Sequence, residues 1–542
     1  MNDVDVIVIG GGPAGSTAAA KAARSGLRVL LLEAGSHPRA HVGESLLPGI
    51  IPILADLGVL AAVEAAGFGR KTGSTLWGWG RTPRWDLWFA DSDAYDAAWL
   101  VDRARFDAIL FDHALACGVE RHELAVVREV LWEAGRVCGV RWARRDESTP
   151  RVSRARVVID ATGQSAMIGR ALGLREPIDG LRHMAMWAHF SGAGRLPAPR
   201  TAQALFVATD QQWWWMFPLS AERTSVGVVQ LDAAHRQGPP RPDFDTELAG
   251  CSELVAVLGP TARRTSAIHS ERDWSYRMRD NAGPGWLAVG DAAGFIDPVL
   301  STGVMLAMHS GWHAARTAAQ IVRGEDELEA AQAYRQHHRG VFDDLLRMVR
   351  FYYQQNLDRD DYFWESKRIL MGEATALRPQ KAFVVLTSGL VQNLALTDQR
   401  EAVQSRRQAQ VGADAPDLAG ADPDSLGFVC LHLRRADTTL ETDGPDRGTS
   451  LFVLIEPADP AAPTLFRTRN FHVNAIAPKH GNDPIAVPEL AAPLRRLGAW
   501  LAELDLEPGQ SLAGFWRQSR GVLATRLSAG IDGFALVRAF GE

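Results

Sequence analysis

The first 33 residues constrain the fold most, because they combine a strand, a glycine turn, a helix and a second strand. The apolar run Asp5–Ile9 is followed by the loop Gly10–Gly15, a helical stretch over Ser16–Ser25 and a second apolar run, Leu27–Leu32. Glu33 closes the unit 18 residues after Gly15. Such glycines allow close approach of a pyrophosphate, the helix dipole favours phosphate, and the acid binds a ribose hydroxyl. The unit predicts a Rossmann-like dinucleotide site formed by Gly10, Gly12, Pro13, Ala14, Gly15 and Glu33.

Bulk composition excludes several other classes of protein. A formal net charge of −6 gives no reason to expect a nucleic acid or an anionic membrane as partner. The N-terminal apolar run Val4–Ile9 enters the glycine loop directly and predicts a strand rather than a signal peptide, so we expect a cytoplasmic protein. Its four cysteines lack metal or redox spacing, and no metal site is expected. The length of 542 residues predicts two or three domains.

Three further segments indicate which dinucleotide is bound. Val101–Asp107 begins a helix with a cation, Arg103, while Val157–Gly163 and Trp286–Gly294 are apolar strands that end in polar turns. Together they resemble the FAD-binding pattern of the para-hydroxybenzoate hydroxylase-like flavoproteins. The resemblance implies FAD, with the aspartate after the third strand on its ribityl chain. The residues it places at FAD are Arg39, Arg103, Asp160, Gly163 and Asp291.

A tryptophan run in the middle of the chain points to the reaction. Trp213–Pro218 could be a packed strand that proline terminates, since aromatic residues favour strands. It also resembles the tryptophan-x-tryptophan-x-isoleucine-proline signature of flavin-dependent halogenases, with Phe217 in the isoleucine position. That resemblance implies a wall between flavin and substrate, made by Trp213, Trp215, Phe217 and Pro218, which prevents direct oxygen transfer.

Lys71 lies among glycines and tryptophans in the segment Gly67–Trp79. Lysines are usually solvated surface residues. In halogenases, however, a lysine in this setting is catalytic, because hypochlorous acid must be held by an ammonium hydrogen bond or carried as a chloramine. Aromatic and small neighbours would lower the pKa of Lys71 and favour the amine. The resemblance therefore implies that Lys71 is the catalytic residue.

Two loops complete the predicted site. His41–Pro48 resembles the flavin-side loop of halogenases and would place Glu44 and Ser45 beside the isoalloxazine, although a helix cap would look the same. Gly294–Val304 opens a helix whose free amides face an anion. By resemblance, halide binds at Ser301, Thr302 and Gly303, and FAD contacts Pro298, Gly303 and Val304; related hydroxylases have a similar helix end.

Leu300 replaces the glutamate that tryptophan halogenases carry before Ser-Thr-Gly. This departure favours the branch that acts on phenols, pyrroles or carrier-bound acyl groups. The resemblance covers roughly residues 1–370.

The predicted fold class is α/β: a Rossmann-like FAD domain with an inserted antiparallel substrate-side sheet, then helices and a small α+β segment. The expected boundaries are 1–70, 100–185 and 270–330 for the FAD domain, 71–99 and 186–269 for the sheet, 331–410 for the helical region and 427–542 for a C-terminal segment without a recognised role.

The sequence thus predicts an FADH2-dependent halogenase, expected to chlorinate, that acts on an electron-rich aromatic natural product, free or tethered to an acyl or peptidyl carrier protein. Chloride or bromide is the co-substrate. A separate flavin reductase is expected because no second nucleotide motif is present. The main alternative is an NAD(P)H-dependent FAD aromatic monooxygenase; a reductase of prenyl chains and a flavin-binding scaffold are further alternatives.

Overall fold

The computed structural model describes residues 3–92, 94–147, 149–209, 212–231, 243–354, 357–371 and 379–390, and the strands at 428–433, 449–457 and 466–472. The chain divides into two compact units, residues 1–370 with 379–395 and residues 371–378 with 396–542.

Apolar alternation interrupted by glycine turns divides the chain into short elements. The strands are β1 (Val4–Ile9), β2 (Val29–Leu32), β3 (Gly69–Lys71), β4 (Gly73–Trp77), β5 (Arg84–Trp88), β6 (Ala98–Leu100), β7 (Glu120–His122), β8 (Ala125–Glu133), β9 (Arg136–Arg144), β10 (Arg151–Asp160), β11 (Arg175–Ser191), β12 (Gln203–Thr209), β13 (Gln212–Pro218), β14 (Thr224–Leu231), β15 (Arg263–Arg264), β16 (His269–Met278), β17 (Ala282–Gly283), β18 (Trp286–Ala288), β19 (Gly294–Phe295), β20 (Phe428–Leu433), β21 (Thr449–Pro457) and β22 (Phe466–His472). The helices are α1 (Pro13–Arg24), α2 (Ile51–Leu57), α3 (Leu60–Ala65), α4 (Arg103–Ala116), α5 (Met167–Ala171), α6 (Phe244–Gly250), α7 (Ser252–Leu258), α8 (Gly303–Val322), α9 (Glu327–Tyr352), α10 (Arg359–Met371) and α11 (Pro379–Thr387).

The first sheet carries the nucleotide loop. Its order is β17-β18-β10-β1-β2-β7, with β9 and β8 attached to β10, and β18, β10, β1, β2 and β7 run parallel. Val6, Ile7 and Val8 of the central strand are fully buried, as expected for a parallel sheet covered on both faces. Helices α4 and α8 pack on α1. The Rossmann-like α/β prediction is confirmed.

The second sheet has the order β19-β16-β11-β14-β13-β12-β4-β5, with β15 beside β11. The pair β12–β4 is parallel and the other pairs are antiparallel. Two of the expected boundaries, at 185 and 270, fall inside β11 and β16 of this sheet. Both strands extend beyond the range that the sequence assigned to the sheet, because neither carries a turn signal at the boundary.

Helices α9, α10 and α11 lie within or just before the expected helical region, whose residues 391–410 fall outside the described part of the chain. In the second unit, β20, β21 and β22 form an antiparallel sheet in that order. The rest of the 427–542 segment lies outside the described residues. Among the helices that are described, none combines the length and the apolar character needed to cross a bilayer.

Candidate active site

The glycine loop forms one wall of a cavity of about 570 Å³. Gly10 has a φ of +105°, and a Cβ there would lie 2.3 Å from the carbonyl oxygen of Ala161. A Cβ on Gly15 would lie 1.8 Å from the carbonyl oxygen of Gly10, so Gly15 packs beneath the turn. Gly10, Gly12, Pro13 and Ala14 line the cavity. The backbone can therefore approach a ligand closely, as the sequence predicted.

Glu33 follows β2 directly and lines the same cavity. Its Oε2 accepts a hydrogen bond from the amide of Gly11 at 2.6 Å and its Oε1 accepts one from Gly35 at 2.7 Å. Arg39 also lines the cavity, and its Nε is buried without a hydrogen-bond partner among the described residues. An acceptor brought by a ligand would satisfy that donor.

The two aspartates that the sequence placed at FAD have different roles. Asp291 lines the cavity, and burial raises the pKa of its carboxyl group to about 6. Asp160 instead supports the turn after β10, because its carboxylate accepts hydrogen bonds from the amide and hydroxyl of Thr162 and from the amide of Ile168. Gly163, three residues on, lines the cavity.

Arg103, at the start of α4, is 5 % exposed and lines the cavity. Its guanidinium donates to both carboxylate oxygens of Asp107, at 2.8 and 3.0 Å, and to the carbonyl oxygen of Val42 at 2.6 Å. The ion pair with Asp107 compensates both buried charges. Arg103 therefore holds the loop that contains Glu44 and Ser45 in place.

The far end of the cavity meets the N-terminus of α8. Pro298, Ser301, Gly303 and Val304 line it. Thr302 precedes α8 without a side-chain cap, is completely buried, and has a hydroxyl with no hydrogen-bond partner among the described residues. Free helix amides, the helix dipole and an unsatisfied hydroxyl together suit a small anion.

Lys71 ends β3, which pairs with β6, and Leu100 of β6 forms a bridge to Ser45. This arrangement brings the 41–48 loop against the lysine. Lys71 Nζ donates to Ser45 Oγ at 2.8 Å and lies 5.1 Å from the centre of the Phe89 ring. The side chain is 1 % exposed, and burial lowers the pKa of the ammonium to about 7.

A second cavity, of about 30 Å³, surrounds Lys71. That volume suits a molecule about the size of water. Its lining is mostly apolar, and Ser301 is common to the linings of both cavities. Leu300, where a glutamate would stand in tryptophan halogenases, lines the lysine cavity.

The tryptophan run forms β13, and its residues alternate between the two faces of the sheet. Trp213, Trp215 and Phe217 line the large cavity, whereas Trp214 and Met216 pack in the core on the other face. Trp215 lies over Gly227, where a Cβ would meet the indole at 2.2 Å. Pro218 ends the strand beside Gly69, so it terminates the wall rather than forming its face.

The family profile of the tryptophan halogenases matches residues 5–92 and 90–389, more than half of the chain. The chain belongs to this family. It is therefore a flavin-dependent halogenase, an enzyme that uses FAD and a halide, and the large cavity fits FAD because glycines, a helix terminus and the cations Arg39 and Arg103 line it.

Known relatives support this assignment. The tryptophan 2-halogenase of Chondromyces crocatus is 34% identical over 400 residues, covering 71% of this chain and 76% of the relative. A 1H-pyrrole-2-carbonyl-[peptidyl-carrier protein] brominase of Pseudoalteromonas luteoviolacea is 32% identical over 64% of this chain and 85% of its own length. The solved myxobacterial chondrochloren halogenase CndH is 33% identical, with a TM-score of 0.61 over 73% of this chain and 97% of that one.

The sequence did not predict a series of hydrogen-bonded polar side chains that contacts the 41–48 loop. Glu44 Oε1 accepts a hydrogen bond from His189 Nε2 at 2.7 Å, and Arg223 donates to His189 Nδ1 at 3.2 Å. Arg223 in turn pairs with Asp102 at 2.5 Å. These contacts hold the His189 ring in place and orient Glu44, which lines the FAD cavity. The sequence signal for this network was a polar residue, His189, inside the buried strand β11.

A second missed group anchors the tryptophan wall. Trp213 Nε1 donates to the hydroxyl of Tyr353 at 2.9 Å, and that hydroxyl donates to Asp297 Oδ1 at 2.8 Å. His183 Nδ1 lies 2.7 Å from the other oxygen of Asp297. Asp297 precedes the Ser-Thr-Gly turn, so this network ties the wall to the predicted halide site.

Proposed function

We propose that this halogenase forms hypohalous acid in the FAD cavity. The acid then moves past Ser301, which lines both cavities, into the lysine cavity. There Lys71 directs the halogen to an electron-rich aromatic ring. The observation that carries the proposal is Lys71 Nζ, buried in a cavity the size of a water molecule that shares Ser301 with the FAD cavity. Reduced FAD would supply the two-electron activation of oxygen that oxidises halide.

The residues at the start of α8 would hold the halide. Thr302 offers a buried, unpaired hydroxyl, and the amides of Gly303 and Val304 lie at the positive end of the helix. The wall of Trp213, Trp215 and Phe217 would keep substrate away from the flavin, which favours halogen transfer over direct oxygen transfer.

Lys71 would act as the neutral amine. Because its pKa is about 7, Lys71 is a neutral amine with a free electron pair in a large fraction of the protein molecules at neutral pH. Ser45 orients the nitrogen, and the small volume of the cavity, about 30 Å³, limits the number of water molecules that could compete. The amine can then form a bond to the halogen, with release of water, and present it to the substrate.

For the substrate, we propose a phenol or a pyrrole, free or bound to a carrier protein. Leu300 in the lysine cavity supports this class, since it offers no carboxylate to a substrate such as free tryptophan. Some relatives are named pyrrole-2-carbonyl-[peptidyl-carrier protein] halogenases, one a brominase and one a chlorinase; another is named tryptophan 2-halogenase. We further propose chloride as the preferred halide and a separate flavin reductase as electron donor.

The test supplies purified protein with reduced FAD, oxygen and equal chloride and bromide. The substrates are a panel of phenols, free pyrrole-2-carboxylate, the same acid on a carrier protein, and tryptophan. Mass spectrometry should detect a halogenated phenol or pyrrole, with the chlorinated form dominant. Lys71→Ala should reduce product about 10²- to 10⁴-fold, the usual contribution of a positioned acid–base group. Lys381→Ala is the matched control.

Other outcomes would contradict specific parts of the proposal. Halogenated tryptophan as the main product would overturn the substrate class. Full product yield from Lys71→Ala would overturn the role of the lysine. A product heavier by one oxygen would indicate monooxygenation, and NADPH oxidation by the protein alone would remove the need for a reductase.

A further inference from the structure

Three histidines meet between α8 and α9, away from the groups assigned to halogenation. His309 and His313 lie one helical turn apart on α8, and His337 lies opposite them on α9. The ring centres are 4.5 Å apart for His309–His313, 5.1 Å for His309–His337 and 4.2 Å for His313–His337. The Nε2 atoms of His309 and His337 are 3.5 Å apart.

These distances suit a metal ion. One ring nitrogen from each histidine lies within 4.8 Å of the others. Tetrahedral zinc with Zn–N bonds of about 2.0–2.1 Å separates its nitrogen ligands by about 3.4 Å. The His309–His337 pair already has that spacing, and small side-chain rotations would bring in His313.

Protein contacts leave the cluster incompletely satisfied. His313 Nε2 is buried and has no hydrogen-bond partner among the described residues. The ring of His313 also contacts Trp312, with 4.9 Å between the ring centres. A buried nitrogen lone pair without a donor is costly, and a coordinated cation would remove that cost.

The ligand set indicates the class of metal. The group found among the described residues is made of imidazoles alone, without a carboxylate. Imidazole suits zinc, copper and nickel, whereas magnesium and calcium require oxygen ligands. Arg316, which stacks on Trp312 at 4.8 Å, adds a positive charge nearby and disfavours a more highly charged ion.

We propose that His309, His313 and His337 bind one divalent zinc-class ion, with water in the fourth position, and that this ion clamps α8 to α9. Helix α8 begins at the predicted halide turn, and His309 lies six residues, or about 9 Å, along its axis from Gly303. Helix α9 leads to Tyr353, which holds Asp297 and Trp213. The ion would thus brace the two helices that support the site without touching the reacting atoms.

The test uses tag-free, full-length protein that has been treated with a chelator and then titrated with Zn²⁺. Calorimetry should show one high-affinity equivalent, and the melting temperature should rise by a few degrees because the ion binds only the folded state. His313→Gln and His337→Gln should each weaken binding by more than the about 10- to 100-fold that loss of an outer-shell partner costs.

His338→Gln is the matched control. His338 is the neighbour of His337 on α9, but it stacks between Tyr334 and Phe342. This variant should bind Zn²⁺ like the parent. FAD content and melting temperature without metal verify that each variant folds, and a variant that fails this check is replaced by His309→Gln. Two results would overturn the site: the absence of a high-affinity equivalent in the parent, or Zn²⁺ binding as tight as the parent's in both the His313 and the His337 variant.

Discussion

The two cavities are built on different principles. The FAD cavity, of about 570 Å³, is lined by the glycine turn, strand ends and the start of α8, together with charged and aromatic side chains. The lysine cavity, of about 30 Å³, is formed by side chains from distant segments, from Leu47 to Thr387. Backbone recognition tolerates few changes, because space near a glycine is fixed by the chain itself. A cavity made of side chains can change its shape through single substitutions.

This contrast matches the division of labour that we propose. The larger cavity would serve a cofactor that is common to the family, and the smaller one would select where the halogen goes. Substitutions in the FAD cavity should affect FAD binding and all later steps. Substitutions in the lysine cavity should leave FAD binding intact and change only the transfer of halogen.

The largest effect on cofactor affinity is expected from Gly15→Val in the FAD cavity. The added Cβ would meet the carbonyl oxygen of Gly10 at 1.8 Å. Overpacking of this kind costs about 3 kcal/mol, so FAD affinity should fall about 100-fold. Fluorescence titration with FAD measures it. Gly340→Ala is the control, because a Cβ there meets nothing within 4 Å. Unchanged affinity in Gly15→Val would show that the turn is not tightly packed.

Trp215→Ala tests the proposed wall of the FAD cavity, which Trp215 lines. Removing the indole, which covers Gly227 and donates to Ser225 Oγ at 3.1 Å, should cost about 3–5 kcal/mol of stability. We also expect more hypohalous acid to escape into solution for each molecule of product. A trapping dye measures the escape. If a folded variant releases no more hypohalous acid than the parent, Trp215 does not form part of the wall.

Lys71→Met tests the lysine cavity through the pH dependence of the protein's stability. The folded-state pKa of about 7 lies below the ordinary value of 10.5, so the unfolded chain binds more protons between these values. The parent should therefore gain about 1.4 kcal/mol of stability per pH unit from pH 7 to pH 10.5, while its charged lysine destabilises it below pH 7. The methionine variant lacks this dependence. Its melting temperature should exceed that of the parent at pH 7, and the difference should shrink towards pH 10.5.

Ser45→Ala should have the smallest effect. It removes the hydroxyl that accepts a hydrogen bond from Lys71 Nζ at 2.8 Å. A hydrogen bond of this kind contributes about 0.5–1.5 kcal/mol, so product formation should fall about 2- to 10-fold with FAD affinity retained. Steady-state assays and an FAD titration separate the two effects. A fall in FAD affinity of equal size would show that Ser45, which also lines the cofactor cavity, acts mainly on FAD binding.

The same contrast explains what the sequence could predict. The glycine loop and Glu33 were predictable because strand, turn and helix are consecutive, and local geometry determines their contacts. A functional Lys71 was predicted from its glycine and tryptophan neighbours, and the structure buries this side chain. His189 and Tyr353 were not found, since they reach Glu44 and Trp213 from segments 145 and 140 residues away. Asp160 has the expected position at a strand end, but its carboxylate is already occupied by the adjacent turn.

Glu44 and Ser45 are consecutive residues that both line the cofactor cavity, yet their side chains are held in two directions, Glu44 towards His189 and Ser45 towards Lys71. Insertion or deletion of one residue in this loop would exchange the two directions. Evolution, or an engineer, therefore cannot lengthen the loop to accommodate a new substrate without also disturbing the cofactor. New specificity must come from substitutions elsewhere in the lysine cavity, among Leu76, Phe206 and Leu300.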